Sequence, residues 1–203
     1  SLRQMLDEGW DAIFVGSGAP RGKDLQLPGR DEAADNIHIG IDWLESVAFD
    51  HVEKIGSRVL IIGVGNTAMD CCRTSLRLGA TDVKVMARKP RDFFKASEWE
   101  LEDAEEENVE IVVNHSPREF VLEDGRLTGM NFEVMEYDVG EDGRILEQRV
   151  TGEKFIPCDD VVLAIGQDNA FPWIERDLGI EFDRWDVPLV DETTFQSSRP
   201  EVF

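Results

Sequence analysis

The residues best suited to chemistry form a glycine-rich turn in the first half of the chain. An apolar run over residues 59–62 leads into Gly-Val-Gly-Asn-Thr-Ala at 63–68, and apolar side chains at helical spacing follow. In a strand–turn–helix of this kind, the first glycine permits a tight turn, the second lets the backbone approach a pyrophosphate, and the alanine allows close helix–strand packing. The helix N-terminus would favour phosphates through its free amide groups and its dipole. The predicted dinucleotide contacts are Gly63, Gly65, Asn66, Thr67 and Ala68.

The type of nucleotide is indicated by the end of the next predicted strand. A site for NAD carries an Asp or Glu there, about 20 residues beyond the glycines, which accepts a hydrogen bond from the ribose 2′-hydroxyl. This chain instead has Arg88, Lys89 and Arg91. A guanidinium binds a phosphate through paired hydrogen bonds, whereas an acidic side chain would repel it. The three basic residues therefore predict that the ligand is NADP(H), with its 2′-phosphate at this position.

Charge is distributed unevenly along the chain. The formal net charge of −22 argues against nucleic acid as a partner, because most of the surface would repel a polyanion. Between residues 73 and 95, however, seven basic residues stand against two acidic ones, which predicts one small anionic ligand. The seven are Arg73, Arg77, Lys84, Arg88, Lys89, Arg91 and Lys95. Residues 98–107 include seven acidic side chains, and we expect them to form a solvated helix face.

Cysteine usage and hydropathy favour a reduced, cytoplasmic protein. Cys71, Cys72 and Cys158 form no Cys-x-x-Cys pair and show no metal-ligand spacing, so we expect core thiols and no metal site. The apolar runs are too short to span a membrane, and residues 1–4 lack the pattern of a signal peptide. No membrane association is expected.

The order of the remaining patterns predicts an α/β domain with a parallel sheet. Ser97 and Glu100 match a capping box at the start of one predicted helix. Residues 17–29, rich in Gly and Pro, are predicted to be a linker. The predicted strands cover residues 11–16, 58–62, 83–87 and 109–113, and the predicted helices cover residues 41–47, 66–78 and 97–108.

The pattern changes after residue 113. Asp124-Gly125 and Asp142-Gly143 each sit between strand-like stretches, as tight hairpin turns do, and predict a three-stranded antiparallel meander over about residues 118–156. Residues 160–165 then read as a strand that rejoins the parallel sheet. We therefore expect a single Rossmann-like NAD(P)-binding domain over residues 1–203, with its core at about 36–167 and flanking segments at 1–35 and 168–203.

The glycine motif and its surroundings resemble a known family. Residues 59–70, VLIIGVGNTAMD, with Arg73 and the LRLGA segment that follows, are similar to the NADPH domain of the glutamate synthase small subunit and its relatives. Ala164, Ile165 and Gly166 match an Ala-x-Gly motif shared by flavoproteins with two dinucleotide-binding domains, which implies further cofactor contacts there. The similarity extends over nearly the whole chain, through segments at 11–19, 27–29, 88–96, 164–167 and 194–203.

The resemblance also implies a function. In such an enzyme the NADPH domain is inserted into an FAD domain, and hydride passes from NADPH to FAD for onward transfer of electrons to an iron–sulfur domain or a large subunit. The family's FAD-binding motifs lie before the equivalent of residue 1 and after the equivalent of residue 203. The resemblance therefore implies that this chain is an NAD(P)-binding fragment, inactive by itself, in which no side chain need act as acid or base.

Other kinds of domain are also compatible with the sequence. At residues 93–96 the chain reads Phe-Phe-Lys-Ala where the family usually has Met-Pro-Ala, which is more similar to thioredoxin reductase and leaves the electron acceptor open. The equivalent domain of a thioredoxin reductase-like or ferredoxin–NADP oxidoreductase-like enzyme is therefore an alternative. A domain that binds or senses NADP without turnover is a further alternative. A short-chain dehydrogenase is disfavoured, because Tyr137 is followed four residues later by Glu141 and not by lysine. Asp70 fits either a contact near the pyrophosphate or a solvated carboxylate.

Overall fold

The computed structural model describes residues 1–203, which form two compact units. The larger unit comprises residues 22–166, and the smaller one comprises residues 1–21 together with 167–203. Compared with the core expected from about residue 36, the larger unit begins earlier, because Leu25 and Leu27 pack into one of its hydrophobic cores. The linker prediction was therefore wrong for this part of the chain.

The helices and strands are numbered in chain order. The four α-helices are α1 (Leu2–Asp7), α2 (Gly40–Ala48), α3 (Asn66–Arg77) and α4 (Glu98–Glu106). Short 3-10 turns lie at Ala34–Asn36 and Arg91–Phe93. The ten strands are β1 (Arg21–Gly22), β2 (Ile37–Ile39), β3 (Arg58–Ile62), β4 (Asp82–Met86), β5 (Glu110–Val112), β6 (His115–Glu123), β7 (Arg126–Val139), β8 (Ile145–Pro157), β9 (Asp160–Leu163) and β10 (Gln167–Asp168). None of the helices is long and apolar enough to cross a membrane.

Five strands of the larger unit form a parallel sheet in the order β2-β9-β3-β4-β5. Ile62 at the end of β3 is aligned with Leu163 of β9 and with Met86 of β4, so the segments that follow these three strands start at the same edge. From β3 the chain runs outward to β4 and β5, whereas β9 lies on the other side of β3. The strand order thus reverses between β3 and β9, which is where open α/β sheets bind their ligands.

The central strand β3 separates two hydrophobic cores. Val59 and Ile61 pack against helices α2, α3 and α4, whereas Leu60 and Ile62 pack against the meander of β6, β7 and β8. Because both faces of the strand are covered, all four of these side chains are buried. This burial explains why the sequence shows a continuous apolar run here and not an alternating one.

The antiparallel meander forms as predicted. β6 pairs with β7 and β7 with β8, and a two-residue turn joins the first pair. Asp124 and Gly125 in that turn both have positive φ, 51° and 75°, which is the geometry that favours an Asp-Gly hairpin. Gly143 in the second turn also has a positive φ, of 75°. The parallel sheet and the meander together confirm the predicted α/β fold class.

The smaller unit has a core of its own. Ser1 caps the N-terminus of helix α1, and its side chain accepts a hydrogen bond from the Gln4 amide. Buried side chains from both of the unit's chain segments meet in this core: Leu2, Ile13, Ile174, Leu178, Ile180 and Val202.

Three predictions of secondary structure were wrong or incomplete. Residues 11–16 do not form a strand, because their partner at 201–203 gives them one isolated parallel bridge, between Ile13 and Val202. β2 was not predicted, since three residues are too few to show a period. The predicted linker also contains β1, which pairs with β10 in a two-stranded sheet.

The three thiols lie in the interior, as expected. Burial raises the pKa of Cys71, and it raises the pKa of Cys72 and of Cys158 to about 12. All three thiols are free and keep their protons at neutral pH. They act as small apolar side chains in the core.

The packing of the meander on the sheet predicts a large difference between two phenylalanines. Phe132 on β7 is fully buried, whereas Phe155 on β8 is 49% exposed. Phe132→Ala should lower the free energy of unfolding by about 3–5 kcal/mol, because it leaves a cavity between meander and sheet. Phe155→Ala should cost about 1 kcal/mol or less. Urea denaturation measures the free energy of unfolding of both variants, and equal losses would contradict the difference in burial between the two side chains.

Candidate functional site

Gly63 lies directly beneath the chain that leaves β9. Its φ is +125°, and a Cβ at this position would lie 2.2 Å from the carbonyl oxygen of Ala164. Both the backbone conformation and the close approach exclude a side chain. Gly63 is therefore required by the fold itself, at the point where the strand order reverses.

Gly65 is a different kind of glycine. Its φ of −103° and ψ of 178° suit any residue, and a Cβ built here would meet nothing within 4 Å. The fold therefore does not require glycine at this position. The open space lies at the N-terminus of α3, which has no side-chain cap and no acidic residue in its first turn. An uncapped helix end beside bare backbone is the arrangement that lets a phosphate approach closely.

The other residues of the motif hold this turn in place. Ala68 is fully buried and lets α3 pack closely on the sheet, while Thr67 is partly buried. Asn66 is exposed, and its side-chain oxygen accepts a hydrogen bond of 3.1 Å from the backbone amide of Ser97. In a capping box that amide would bind Glu100, so the predicted box was wrong. Instead, the start of α4 is tied to the start of α3.

The basic segment after β4 is fastened to the glycine turn. The amides of Lys95 and Ala96 both donate to the carbonyl of Val64, at 3.1 Å each. With the Asn66 bond, three successive residues of the segment are held against the turn. The segment that carries the predicted 2′-phosphate ligands therefore lies beside the predicted pyrophosphate site.

Ion pairs divide the seven basic residues of 73–95 into two groups. Arg88, Lys89 and Lys95 have no carboxylate partner, and the Lys89 ammonium lies 5.4 Å from the centre of the Phe93 ring. The other four are neutralised: Arg73 by Asp103 and Glu107, Arg77 by Glu107, Lys84 by Asp82 and Glu110, and Arg91 by Glu98 and Glu105.

This division corrects one expectation and bears on another. The acidic helix α4 is not simply a solvated face. Three of its side chains and that of the adjoining Glu107 bind arginines of residues 73–95. Arg91, predicted as a phosphate ligand, lies 2.5 Å from Glu105 and 3.3 Å from Glu98. Within residues 73–95, the basic residues without a carboxylate partner all lie in the segment that follows β4.

The Ala-x-Gly segment shapes the edge of the sheet through its backbone. Ala164 is 8% exposed and covers Gly63, and Ile165 packs on the core between sheet and meander. Gly166 has a φ of +116°, and its carbonyl accepts a hydrogen bond of 3.0 Å from the Lys23 amide. The backbone of Ala164 and Ile165 thus lies against Gly63, whereas Gly166 contacts Lys23.

Two residues near the site were missed by sequence reasoning. The hydroxyl of Tyr137 donates to the carbonyl of Arg88 at 2.7 Å, and the amide of His115 donates to the carbonyl of Ala87 at 2.9 Å. Both partners are backbone atoms, distant in sequence, so no spacing of residue types could have revealed them.

Asp70 is exposed on α3 and makes no ion pair in the structure.

Comparison with known proteins assigns the family. A model of the pyridine nucleotide-disulphide oxidoreductases matches residues 6–203. The chain belongs to this family. The β subunit of an NADPH-Fe(3+) oxidoreductase from Geobacter sulfurreducens is 34% identical, over 92% of this chain and 29% of that protein. The small chain of the NADPH glutamate synthase of Halomonas elongata is also 34% identical, over 100% of this chain and 45% of that protein.

These relatives confirm the resemblance to the glutamate synthase small subunit and its group. The chain spans less than half the length of either relative. Among solved structures, Mycobacterium tuberculosis FprA in complex with NADPH is 19% identical, with a TM-score of 0.67 over 89% of this chain and 54% of that one. T. acidophilum thioredoxin reductase is 19% identical, with a TM-score of 0.66 over 96% of this chain and 55% of that one. Both share the fold of this chain.

The two glycines should respond differently to the same substitution. Gly63→Ala should lower the free energy of unfolding by about 2–5 kcal/mol, because it combines a positive φ with a clash against the Ala164 carbonyl. Gly65→Ala, at an ordinary φ and in open space, should change it by about 1 kcal/mol or less. Chemical denaturation tests the pair, and a large loss from Gly65→Ala would show that the glycine is structural.

The ion pairs between α3 and α4 predict a dependence of stability on pH. Arg77 and, next, Arg73 hold the pKa of Glu107 below its usual value. The stabilisation is therefore full above the unfolded pKa of about 4.3 and is lost as the pH falls through the lower folded pKa. Glu107→Gln should lower Tm at pH 7, and the difference should shrink as the pH falls below about 4.3 and vanish once Glu107 is protonated in the folded protein.

Glu106→Gln is the matched control, since Glu106 lies beside Glu107 and makes no ion pair. It should leave Tm nearly unchanged at both pH values. A difference between native chain and Glu107→Gln that persists unchanged in acid would contradict the assignment.

Proposed function

We propose that this chain is the NADP(H)-binding part of a flavin-dependent oxidoreductase of the glutamate synthase small-subunit type, where it delivers hydride from NADPH to FAD for onward electron transfer. The observation that carries the proposal is the open N-terminus of α3 at Gly65, to which the segment that carries three cations without carboxylate partners is hydrogen-bonded. A helix end that attracts anions, with free positive charge nearby, suits a dinucleotide that carries an additional phosphate.

The residues present fit that ligand in two places. The pyrophosphate would lie at the bare backbone of Gly65, where the helix dipole favours negative charge. The 2′-phosphate would be bound by Arg88, with Lys89 and Lys95 adding positive charge. Arg91 contributes less, because the carboxylates of α4 already neutralise it. The cost of separating that ion pair offsets what a new phosphate contact would contribute.

The chain's own part in the reaction is to bind and orient the nucleotide. A bound nicotinamide supplies the hydride and a flavin accepts it, and neither step asks for a protein acid or base. Hydride transfer depends on the short distance between donor and acceptor. Holding the pyrophosphate at α3 and the 2′-phosphate at the end of β4 fixes two points of the donor, and so directs its free end.

We assign the larger unit, residues 22–166, to nucleotide binding and the smaller unit to an FAD domain that other residues of the parent protein complete. The relatives are more than twice as long as the stretch they share with this chain, which leaves room for such a domain. The smaller unit also exposes large aromatic side chains, among them Phe14 at 82% and Trp10 at 58%. Exposed aromatic surface is typical of a face that packs against further protein.

The parent enzyme would pass its electrons to an iron–sulfur domain or a large subunit in the cytoplasm. The relatives are named as a β subunit and as a small chain, which favours a multi-subunit assembly. Their names also refer to different final reactions, so the residues that choose the acceptor are expected outside the shared stretch.

The charge division predicts which arginine selects the nucleotide. The native chain should bind NADPH more tightly than NADH in calorimetry. Arg88→Ala should lower the affinity for NADPH by about tenfold, which is the effect of losing one charge-assisted phosphate contact. The affinity for NADH should stay nearly unchanged. Arg91→Ala, at a paired arginine in the same segment, should have a smaller effect.

Equal affinities of the native chain for the two nucleotides would overturn the assignment. As a test of the helix end, Gly65→Val should prevent binding of both nucleotides while the far-UV spectrum stays native. Flavin reduction distinguishes an oxidoreductase from a domain that binds NADP without turnover. In the parent enzyme, NADPH should bleach the flavin absorbance, and an unchanged spectrum would favour the second function.

A further inference from the structure

The strand pair β7–β8 extends well beyond the rest of the meander. β6 pairs with β7 no further than Val134, whereas β8 follows β7 to Val139. We define the β7–β8 extension as residues 135–150. Most of its side chains are exposed or only partly buried, including Leu146 at 67% and Val150 at 52%. A two-stranded hairpin with so little buried surface adds little stability of its own.

The extension is held by two hydrogen bonds at the carboxyl edge of the parallel sheet. The amide of Met135 donates to the carbonyl of Asn114, at 2.8 Å, just after β5. The hydroxyl of Tyr137 donates to the carbonyl of Arg88, at 2.7 Å, just after β4. The bond from Tyr137 to Arg88 and the bond from the His115 amide to Ala87 together hold two successive carbonyl groups just after β4.

Core packing does not explain the tyrosine. Its ring is partly buried and borders a cavity of about 240 Å³, which is also lined by Glu136, Asp138, Glu147 and Arg149. Glu136 and Arg149 are paired across the two strands at 2.7 Å. A phenylalanine would fill the same space, so the distinct contribution of tyrosine here is its hydroxyl, and the hydroxyl meets Arg88.

The carbonyl that Tyr137 binds belongs to the same residue as the free guanidinium. Fixing the peptide unit after Arg88 restricts its backbone dihedrals and hence the direction of its Cα–Cβ bond. The side chain of Arg88 has no carboxylate partner that would orient it otherwise. Restraining the backbone below an exposed arginine lowers the entropy that must still be lost when its side chain is ordered on a ligand.

We infer that Tyr137 is a positioning residue for the 2′-phosphate: through its hydrogen bond to Arg88, the β7–β8 extension sets the preference for NADP(H) over NAD(H). The inference rests on the proposed function, since it deepens the role of the same site. Burial raises the pKa of Tyr137, so the phenol keeps its proton and remains a donor at neutral pH.

The experiment uses ligands that differ only in the phosphate, 2′,5′-ADP and 5′-AMP, with the 203-residue chain. Tyr137→Phe should weaken 2′,5′-ADP and NADPH by about fivefold, which corresponds to one neutral hydrogen bond. It should leave 5′-AMP and NADH unchanged. The matched control is Thr151→Val, which removes a hydroxyl-to-carbonyl bond of 3.2 Å to Val134 within the same strand pair but away from Arg88. It should change none of the four affinities.

A double-mutant cycle separates positioning from a general structural role. In the Arg88→Ala background, Tyr137→Phe should have no further effect on 2′,5′-ADP, because the hydroxyl acts through the missing guanidinium. An equal loss in both backgrounds, or an equal loss for 5′-AMP, would overturn the inference. If the native chain binds 2′,5′-ADP more tightly than 5′-AMP and Tyr137→Phe binds 2′,5′-ADP as tightly as the native chain does, only the inference fails. If the native chain shows no preference, the proposed function fails first.

Discussion

The carbonyl oxygen of Ala164 lies where a side chain at residue 63 would begin, and much of the larger unit depends on that contact. It allows the segment after β9 to cross the end of β3, so the two strands on either side of the reversal in strand order end together. The turn that follows starts α3 three residues after Gly63, with its N-terminus open. A side chain at position 63 would separate these elements, whereas one at position 65 would only fill the space in front of them.

Electrostatics in this chain is a matter of local pairing more than of net charge. The protein has a net charge of −22, yet the segment that follows β4 carries three cations with no carboxylate partner. The acidic helix α4 and its C-cap Glu107 account for this, because they bind Arg73, Arg77 and Arg91 and leave only Arg88 unpaired among the arginines of residues 73–95. A field of negative charge around one small positive site would discourage polyanions while admitting a single nucleotide.

Sequence reasoning succeeded where local chemistry determines the structure. The run at β3 is buried on both faces, and the Asp124-Gly125 turn needs two positive φ angles, so both are visible in the residue types. It failed where a residue distant in sequence determines the local structure. β2 is a strand only because β9 lies beside it. The Ser97 amide, which a capping box would bond to Glu100, donates to Asn66 instead. The sequence predicted which residues of the site could bind a nucleotide. It could not show which cations are paired with carboxylates, because the pairing depends on the fold. Nor could it show the role of Tyr137, whose partner lies 49 residues away.

The bond between the Lys23 amide and the Gly166 carbonyl places the two ends of the larger unit side by side, at 3.0 Å. A segment whose ends meet can be removed, replaced or joined to itself without stretching its interior. Such a segment can be exchanged as a unit by recombination at two neighbouring points. The same adjacency makes a circular permutant of residues 22–166 feasible, with a short connection across the former ends and new termini at the exposed turn near Gly143.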